Sequence, residues 1–316
     1  MDERVALTIA VTGATGFVGE HLTRRLRSVG HVVRALTRRR NNDDSDPNLI
    51  WIQGDLSSGP SLKDLVSGAD VVVHAAGAIK ALSRSAFFKT NKDGTQSLVE
   101  AALNAKVPRF ILVSSLAARE PSLSPYAASK RAGELVLDRF RDRIESVVLR
   151  PSAIYGPGDQ ETGRLFQMAN NGFILAPGSP AARLSLVHVG DVVTAIQACC
   201  ELGQPSRPLE IDDGAPDGYT WQELADAAGG AVNRPPKLIY LPAVMVWLAG
   251  AAGTAISLIT RKPSILTLAN VPELLHTDWH ARGPRPNGWK PAWALGTGFD
   301  DAVDWYSSQN ILKRYF

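Results

Sequence analysis

Short apolar runs alternate with mixed segments of helical spacing through the first half of the chain. Strand-like runs fall at Thr8–Val11, Val32–Leu36, Leu49–Gln53, Val71–His74, Phe110–Ser114 and Ser146–Arg150. Such alternation predicts an α/β fold, a doubly wound parallel sheet with helices on both faces. The runs Val71–Val73 and Ile111–Val113 contain no polar residue, as strands buried on both faces require. After Gly156 the rhythm breaks. Leu184–Val189 and Leu209–Ile211 still read as strands, the second before the turn Asp212-Asp213-Gly214. Thr220 to Ala228 reads as a helix capped by Thr220, with Glu223 three residues on. The remainder is rich in proline and irregular, and no internal repeat is visible. The expected division is a first domain over 1–170, with returns to the sheet near 184–212, and a smaller C-terminal region over 171–316.

One stretch departs from this pattern. Leu241 to Ile259 carries no charge and includes Val244, Met245, Val246, Trp247, Leu248, Ile256, Leu258 and Ile259. Its length approaches a membrane span, but Pro242, Gly250 and Gly253 weaken a continuous helix. The expectation is a helix of the C-terminal region that faces an apolar ligand, a partner subunit such as a second copy in a homodimer, or a membrane surface.

Composition changes little. Hydrophobic residues make up 45% and charged residues 21%, an ordinary globular balance. The net charge of +3 is too small to argue for a nucleic-acid partner. The basic cluster Arg38-Arg39-Arg40 is local and runs into a polar, acidic loop, Asn41 to Asp46. The two cysteines, Cys199 and Cys200, are adjacent on an apolar helix and read as core, not as a staple. With no secretory pattern at Met1-Asp2-Glu3-Arg4, a reduced, cytoplasmic setting is expected.

The candidate chemistry begins at the first strand, which feeds Thr12-Gly13-Ala14-Thr15-Gly16-Phe17-Val18-Gly19 and then a helix-like stretch, Glu20 to Arg27. In such a strand–turn–helix unit Gly13 allows the tight turn, Gly16 lets the backbone approach a pyrophosphate, and Gly19 lets helix pack on strand. The free N–H groups of the helix end face the anion. Further on, Tyr126 and Lys130 are four residues apart and share one helix face. Pro125 suits the first turn of that helix and Ser124 its cap. The spacing predicts that the Lys130 ammonium, together with the positive nicotinamide ring of a bound dinucleotide, favours the Tyr126 phenolate. A drop of about three units from the ordinary tyrosine value needs about 4 kcal/mol. Ser115, or its neighbour Ser114, ends the preceding strand and can hydrogen-bond a substrate oxygen. His74 and His188 sit in apolar strands and read as hydrogen-bonded structural residues, and Asp191 reads as a helix cap. No cluster has metal-ligand spacing.

These motifs occur in the order found in the extended short-chain dehydrogenase/reductase superfamily, which the chain resembles over nearly its whole length. The resemblance rests on the G-x-x-G-x-x-G turn and on Val71-Val72-Val73-His74-Ala75-Ala76-Gly77. It also rests on Asn91 with Thr95, Ile111-Leu112-Val113-Ser114-Ser115, and the Y-x-x-x-K of Tyr126 and Lys130. Leu149-Arg150-Pro151 with Ile154-Tyr155-Gly156-Pro157-Gly158, His188-Val189-Gly190-Asp191, and the late Gly288-Trp289-Lys290-Pro291 with Asp304-Trp305-Tyr306 complete it.

The resemblance implies a Rossmann-type domain and a catalytic set of Ser115, Tyr126 and Lys130, its alignment favouring Ser115 over Ser114. It implies a dinucleotide held by Gly13, Thr15, Gly16, Phe17, Val18 and Gly19, by Asp55 and Leu56 after the third strand, and by Ala75, Ala76 and Gly77. Pro151, Tyr126 and Lys130 complete that set, Lys130 on the nicotinamide ribose. The second strand ends Leu36-Thr37-Arg38-Arg39 without an acid, so Arg38 can accept a 2′-phosphate and NADP is favoured over NAD.

Three functional classes compete. The chain is most similar to dihydroflavonol reductases and 3β-hydroxysteroid dehydrogenases, which implies hydride transfer between a nicotinamide and a ketone or secondary alcohol of a hydrophobic substrate. The alternative is a nucleotide-sugar epimerase or dehydratase. Against it, Ala153 stands where such epimerases carry an asparagine, and Leu116 and Ala117 stand where dehydratases carry acids. The third is a non-catalytic cofactor-binding scaffold, against which the intact Ser115, Tyr126 and Lys130 argue. The ten residues between Ser115 and Tyr126 make a short loop over the substrate. Apolar residues around Trp247 and Leu248 are expected to line the substrate cleft.

Overall fold

The computed structural model describes residues 6–39, 46–200 and 204–312. Arg40 and most of the polar loop after it, like the extreme N-terminus, lie outside the described residues. In chain order the first half forms β1 (Thr8–Thr12), α1 (Phe17–Ser28), β2 (Val32–Thr37), β3 (Leu49–Gln53), α2 (Gly59–Val66) and β4 (Val71–His74). It continues with α3 (Arg84–Phe88), α4 (Gly94–Asn104), β5 (Arg109–Val113), α5 (Pro125–Asp138) and β6 (Glu145–Pro151). The second half adds β7 (Ala153–Tyr155), α6 (Gly163–Asn170), β8 (Phe173–Pro177), β9 (Arg183–Leu184), β10 (Leu186–His188) and α7 (Val189–Cys199). Then come β11 (Leu209–Ile211), α8 (Trp221–Ala231), β12 (Lys237–Leu241), α9 (Ala243–Thr260), α10 (Val271–Leu275), β13 (Asp278–Trp279) and α11 (Leu295–Ser308).

Seven strands form one parallel sheet in the order β11-β6-β5-β4-β1-β2-β3. The doubly wound, Rossmann-like sheet is therefore present, with the order reversing between β1 and β4. Alternate residues of each central strand serve opposite faces. Ile9, Val11, Val71, Val73, Ile111 and Val113 pack beneath α1 and α7, together with Cys199 and Cys200. Ala10, Val72, Phe110 and Leu112 pack beneath α2 and α4. A second core joins Tyr155, Phe166, Leu224, Phe299 and Tyr306, so it draws on residues from both sides of position 170.

Two local expectations need correction. The single strand at Leu184–Val189 is divided at Ser185, because its halves serve different partners. β9 pairs with β13, whereas β10 pairs with β7. The Ser185 hydroxyl accepts from Ala281 N–H at 3.1 Å at the break. The second correction is α9, which runs unbroken through Gly250 and Gly253. Pro242 stands outside it, at the cap, where a missing N–H costs nothing. The two glycines are covered by the returning chain: a Cβ at Gly250 would lie 2.5 Å from the Val271 side chain, and one at Gly253 would overlap Leu266 O.

Candidate active site

The carboxyl ends of β1 and β4 part at the reversal of strand order and open a cleft. Gly13 takes a φ of +74°, and a Cβ there would lie 2.6 Å from Ala76 N. The turn after β1 thus runs directly against the loop after β4, and only glycine fits. A Cβ at Gly19 would strike Gly13 O, so α1 packs tightly on the turn. α1 begins at Gly16 without a side-chain cap, leaving its first-turn N–H groups open toward the cleft. Gly13, Gly16, Phe17, Val18, Gly19, Ala75, Gly77 and Pro151 border this cleft. So does Ser152, whose hydroxyl is buried without a protein partner among the described residues. Open amides, a glycine-only turn and a spare hydroxyl suit a dinucleotide.

Thr15 lies exposed on the same turn. Arg38 is exposed at the end of β2, close enough to Asp55 for its charge to help hold that carboxylate low. The main causes of the low Asp55 pKa are the Ser57 hydroxyl and N–H, which donate to it at 2.6 and 2.8 Å. Leu56 packs under Gly94, where a Cβ would lie 2.7 Å from Leu56 Cδ1.

Behind the loop after β4, His74 is fully buried between Thr12 Oγ1, 2.7 Å from Nδ1, and Thr95 Oγ1, 3.1 Å from Nε2. Burial, then the Lys130 charge, pushes its pKa down to about 3, so it is a neutral bridge between β1, β4 and α4. Asn91 lies on a single π-helical turn, Lys89–Asp93, a local irregularity often found at functional sites. Its side chain accepts from Ala78 N–H at 2.8 Å and donates to Ala78 O and Ser129 Oγ. This clamp fixes the loop that carries Ala75, Ala76 and Gly77.

Ser124 caps α5, accepting from Ala127 N–H at 2.9 Å, with Pro125 in the first turn. The helix brings Tyr126 to the cleft and to a hydrogen bond with the Ser115 hydroxyl. Ser115 also caps the short 3-10 turn Leu116–Arg119, accepting from Ala117 N–H at 3.2 Å. Ser114 is committed elsewhere: its hydroxyl donates to Glu134 Oε1 at 2.6 Å. Glu134 in turn receives Arg150 Nη2 at 2.6 Å and Arg131 Nη1 at 2.9 Å. Lys130 Nζ donates to Val113 O at 2.8 Å and would lie 3.3 Å from a Cβ on Gly77. Ser115 and Tyr126 thus border one end of the cleft, with Lys130 one helical turn from Tyr126 and its amino group on Val113 O.

The protein frame alone, without the nicotinamide charge on which the expected lowering also rests, raises the Tyr126 pKa. Desolvation pushes it up to about 12; the Ser115 hydrogen bond opposes the rise and the Glu273 charge adds to it. Lys130 is itself lowered to about 8 by burial, and its amino group is engaged by a carbonyl. Glu273 escaped the sequence reading. It lines the cleft from α10, accepts a short hydrogen bond from Ser124, and is raised by burial. Its signal is that it is the first acid after Asp226.

The substrate side also differs from expectation. The cleft, of about 580 Å³, is lined by Ile79, Leu116, Ala117, Ile154, Leu184 and Trp279. Trp247 and Leu248 are not among the lining residues and stand exposed on α9, because that helix packs along residues 265–271 instead. No lysine or arginine lines the cleft among the described residues, whereas Asp159, Glu161 and Glu273 do. Ala153 borders it from β7.

His188, not Asp191, caps α7, accepting from Gly190 N–H at 3.2 Å. Asp191 is buried in the first turn and accepts from the N–H groups of Ala292 and Trp293, tying down the late loop. His188 stacks near Trp293 and contacts Asp301 at 3.2 Å. No group of three or more metal-ligating side chains occurs among the described residues.

Known proteins resemble this chain in sequence and in fold. A ceramide reductase from Caulobacter vibrioides is 43% identical over 97% of this chain and 96% of its own. A 3 beta-hydroxysteroid dehydrogenase/Delta 5-->4-isomerase from Mycobacterium tuberculosis is 29% identical over 66% of this chain and 65% of its own. The structure of a UDP-N-acetylglucosamine 4-epimerase from Bacillus cereus superposes with a TM-score of 0.71 at 18% identity, covering 98% of this chain and all of that one. Residues 9–211 match the NAD dependent epimerase/dehydratase family. The chain therefore belongs to the NAD-dependent epimerase/dehydratase family, within the extended short-chain dehydrogenase/reductases.

Proposed function

We propose that the protein is a nicotinamide-dependent reductase acting on a ketone of a lipid of the ceramide class, with the reverse oxidation of the secondary alcohol as its counterpart. The observation that carries this reading is a cleft with apolar walls and three carboxyl groups, lined by no lysine or arginine among the described residues, with Ser115 and Tyr126 at one end and Lys130 one helical turn from Tyr126. A sugar nucleotide brings a second diphosphate, and among the described residues no lysine or arginine lines the cleft to receive it. The relation to a ceramide reductase adds the substrate class.

A dinucleotide held by the turn of Gly13, Gly16 and Gly19 and by Lys130 would supply the hydride for the carbonyl carbon from its reduced nicotinamide. Tyr126, neutral in its surroundings, gives its hydroxyl proton to the carbonyl oxygen, and Ser115 donates a hydrogen bond to that same oxygen. One hydride and one proton convert the ketone to the alcohol. Lys130, with a pKa of about 8, is poised to exchange a proton near neutral pH and to hold the nicotinamide ribose. Arg38, at a strand end without an acid, favours NADP by offering a guanidinium to the 2′-phosphate.

The test is a spectrophotometric screen of NADPH and NADH consumption with a ketone analogue of ceramide, steroid ketones and UDP-sugars. Turnover of the lipid ketone is expected. Turnover of a UDP-sugar with none of a hydrophobic ketone would replace this reading with the epimerase one.

A further inference from the structure

α9 lies apart from the chemistry and carries more of the exposed large apolar side chains than any other element among the described residues. Over its 18 residues only Val246, Gly250 and Ser257 are buried. Leu248 is 65% exposed, Leu258 70% and Ile259 82%. Val244, Met245, Trp247 and Ile256 join them, and Leu266 and Leu268 extend the face beyond the helix. A helix in contact with water usually carries a charged side; this one has no charged residue, and its polar side chains are only Thr254, Ser257 and Thr260.

We propose that α9 and the segment after it seat the protein in the surface of an anionic phospholipid bilayer, lying in its plane without crossing. Length and composition alone would allow a crossing. The packing does not. The chain doubles back along the helix, where Leu268 N–H donates to Thr254 Oγ1 at 2.9 Å and Val271 and Leu266 fill the spaces left by Gly250 and Gly253. At the other end the helix follows β12, which is paired with β8 along its whole length. One side of α9 is thus fastened along the protein, and the opposite side is free to enter the interface.

Charge selects the partner. From Ala227 to Pro272 the sequence contains no acid and four bases: Arg234, Lys237, Arg261 and Lys262. Arg261 and Lys262 are exposed at the end of α9, beside the apolar face. An anionic headgroup layer over an acyl interior meets both features. A second copy docked about a two-fold axis would instead bring this acid-free patch against itself.

The location also suits a lipid substrate, although membrane binding does not depend on the proposed reaction. α9 packs on α10, and α10 carries Glu273 into the cleft. A lipid leaving the interface beside α9 would therefore arrive next to Tyr126.

The test is flotation of the full-length protein with vesicles of pure phosphatidylcholine and of equal parts phosphatidylcholine and phosphatidylglycerol. The wild type should float with the mixed vesicles. Leu248→Asp with Ile259→Asp should lower its partitioning by about 100-fold, from the apolar side chains no longer buried. Arg261→Gln with Lys262→Gln should lower it by about twentyfold on mixed vesicles, with little effect on phosphatidylcholine. Brominated phospholipid should quench the wild type more than Trp247→Phe, a readout that survives if the aspartate variant fails to fold. Wild-type protein that stays in the buffer would overturn the proposal, as would equal quenching of the two proteins. A dimer that the aspartate variant dissociates, with no vesicle binding, would assign the face to a second copy. Flotation without ketone reduction would overturn only the reaction, and reduction without flotation only the membrane contact.

Discussion

His74 makes stability depend on pH by an amount that the structure allows to be worked out. Its ring bridges Thr12 and Thr95 in full burial, and its pKa falls from 6.5 to about 3, chiefly through desolvation. Between those values the unfolded chain binds a proton that the folded protein does not. Acid therefore favours unfolding: the contribution is fully present above the unfolded value and is lost progressively as pH falls toward the folded one. Each pH unit in that window costs about 1.4 kcal/mol, so lowering pH from about 7 to about 5 removes about 2 kcal/mol. In His74→Gln the titration disappears. That variant should be less stable near neutrality by about 1–3 kcal/mol, because a buried threonine hydroxyl loses its partner. It should nevertheless lose about 2 kcal/mol less than the wild type over the same acid step. Urea unfolding followed by circular dichroism at both pH values measures the difference, and titration of His188 cancels between the two proteins. Equal losses in the two proteins would refute the assignment of a neutral, buried His74.

Three further outcomes follow from the site. Tyr126→Phe should lower kcat for the proposed ketone reduction by about 10²–10⁴-fold while NADPH affinity, read by fluorescence titration, stays nearly unchanged; an active variant would move the chemistry elsewhere. Arg38→Ala should weaken NADP(H) binding by about 10- to 100-fold and leave NAD(H) binding intact, which calorimetry with both cofactors checks. Glu134→Ala should destabilise the fold by about 2–4 kcal/mol, because Arg150 then keeps only the more distant Glu210 carboxylate, at 4.0 Å. Glu134→Gln, which keeps an acceptor, should cost less in the same urea titration.

Much of the architecture was legible because it rests on local periodicity. Doubly buried strands read as unbroken apolar runs, and β3, β4 and β11 have the very bounds that the sequence predicts. The capping box of Thr220 and Glu223 was equally local, and both of its hydrogen bonds are present. The tertiary elements were harder to read. The break at Ser185 depends on which strands lie beside Leu184 and Leu186, and nothing in the segment announces two partners. Gly250 and Gly253 read as helix breakers in isolation, yet the chain that covers them makes them packing sites. Asn91 carried a family resemblance, but its grip on Ala78 and Ser129 required the π-turn to be seen. Glu273 is a lone acid in a proline-rich region, and only the return of α10 to the cleft brings it beside Ser124.

The electrostatics of Tyr126 show how much of the site's chemistry lies outside helical spacing. One helical turn sets Lys130 near Tyr126, and that spacing suggests a stabilised phenolate. The fold adds three facts that spacing does not contain. The Lys130 amino group is held by Val113 O, Glu273 brings negative charge to the same wall, and burial disfavours ions of either sign. All three favour the neutral phenol. With a pKa of about 12, forming the phenolate near neutrality costs about 7 kcal/mol in the protein frame alone. A neutral hydroxyl is a loaded proton donor, which is what the reduction of a ketone needs, whereas oxidation needs that proton accepted. In the proposed reduction, giving up that proton leaves the phenolate and meets that same cost, which the positive nicotinamide left after hydride transfer and the Ser115 hydrogen bond would have to offset.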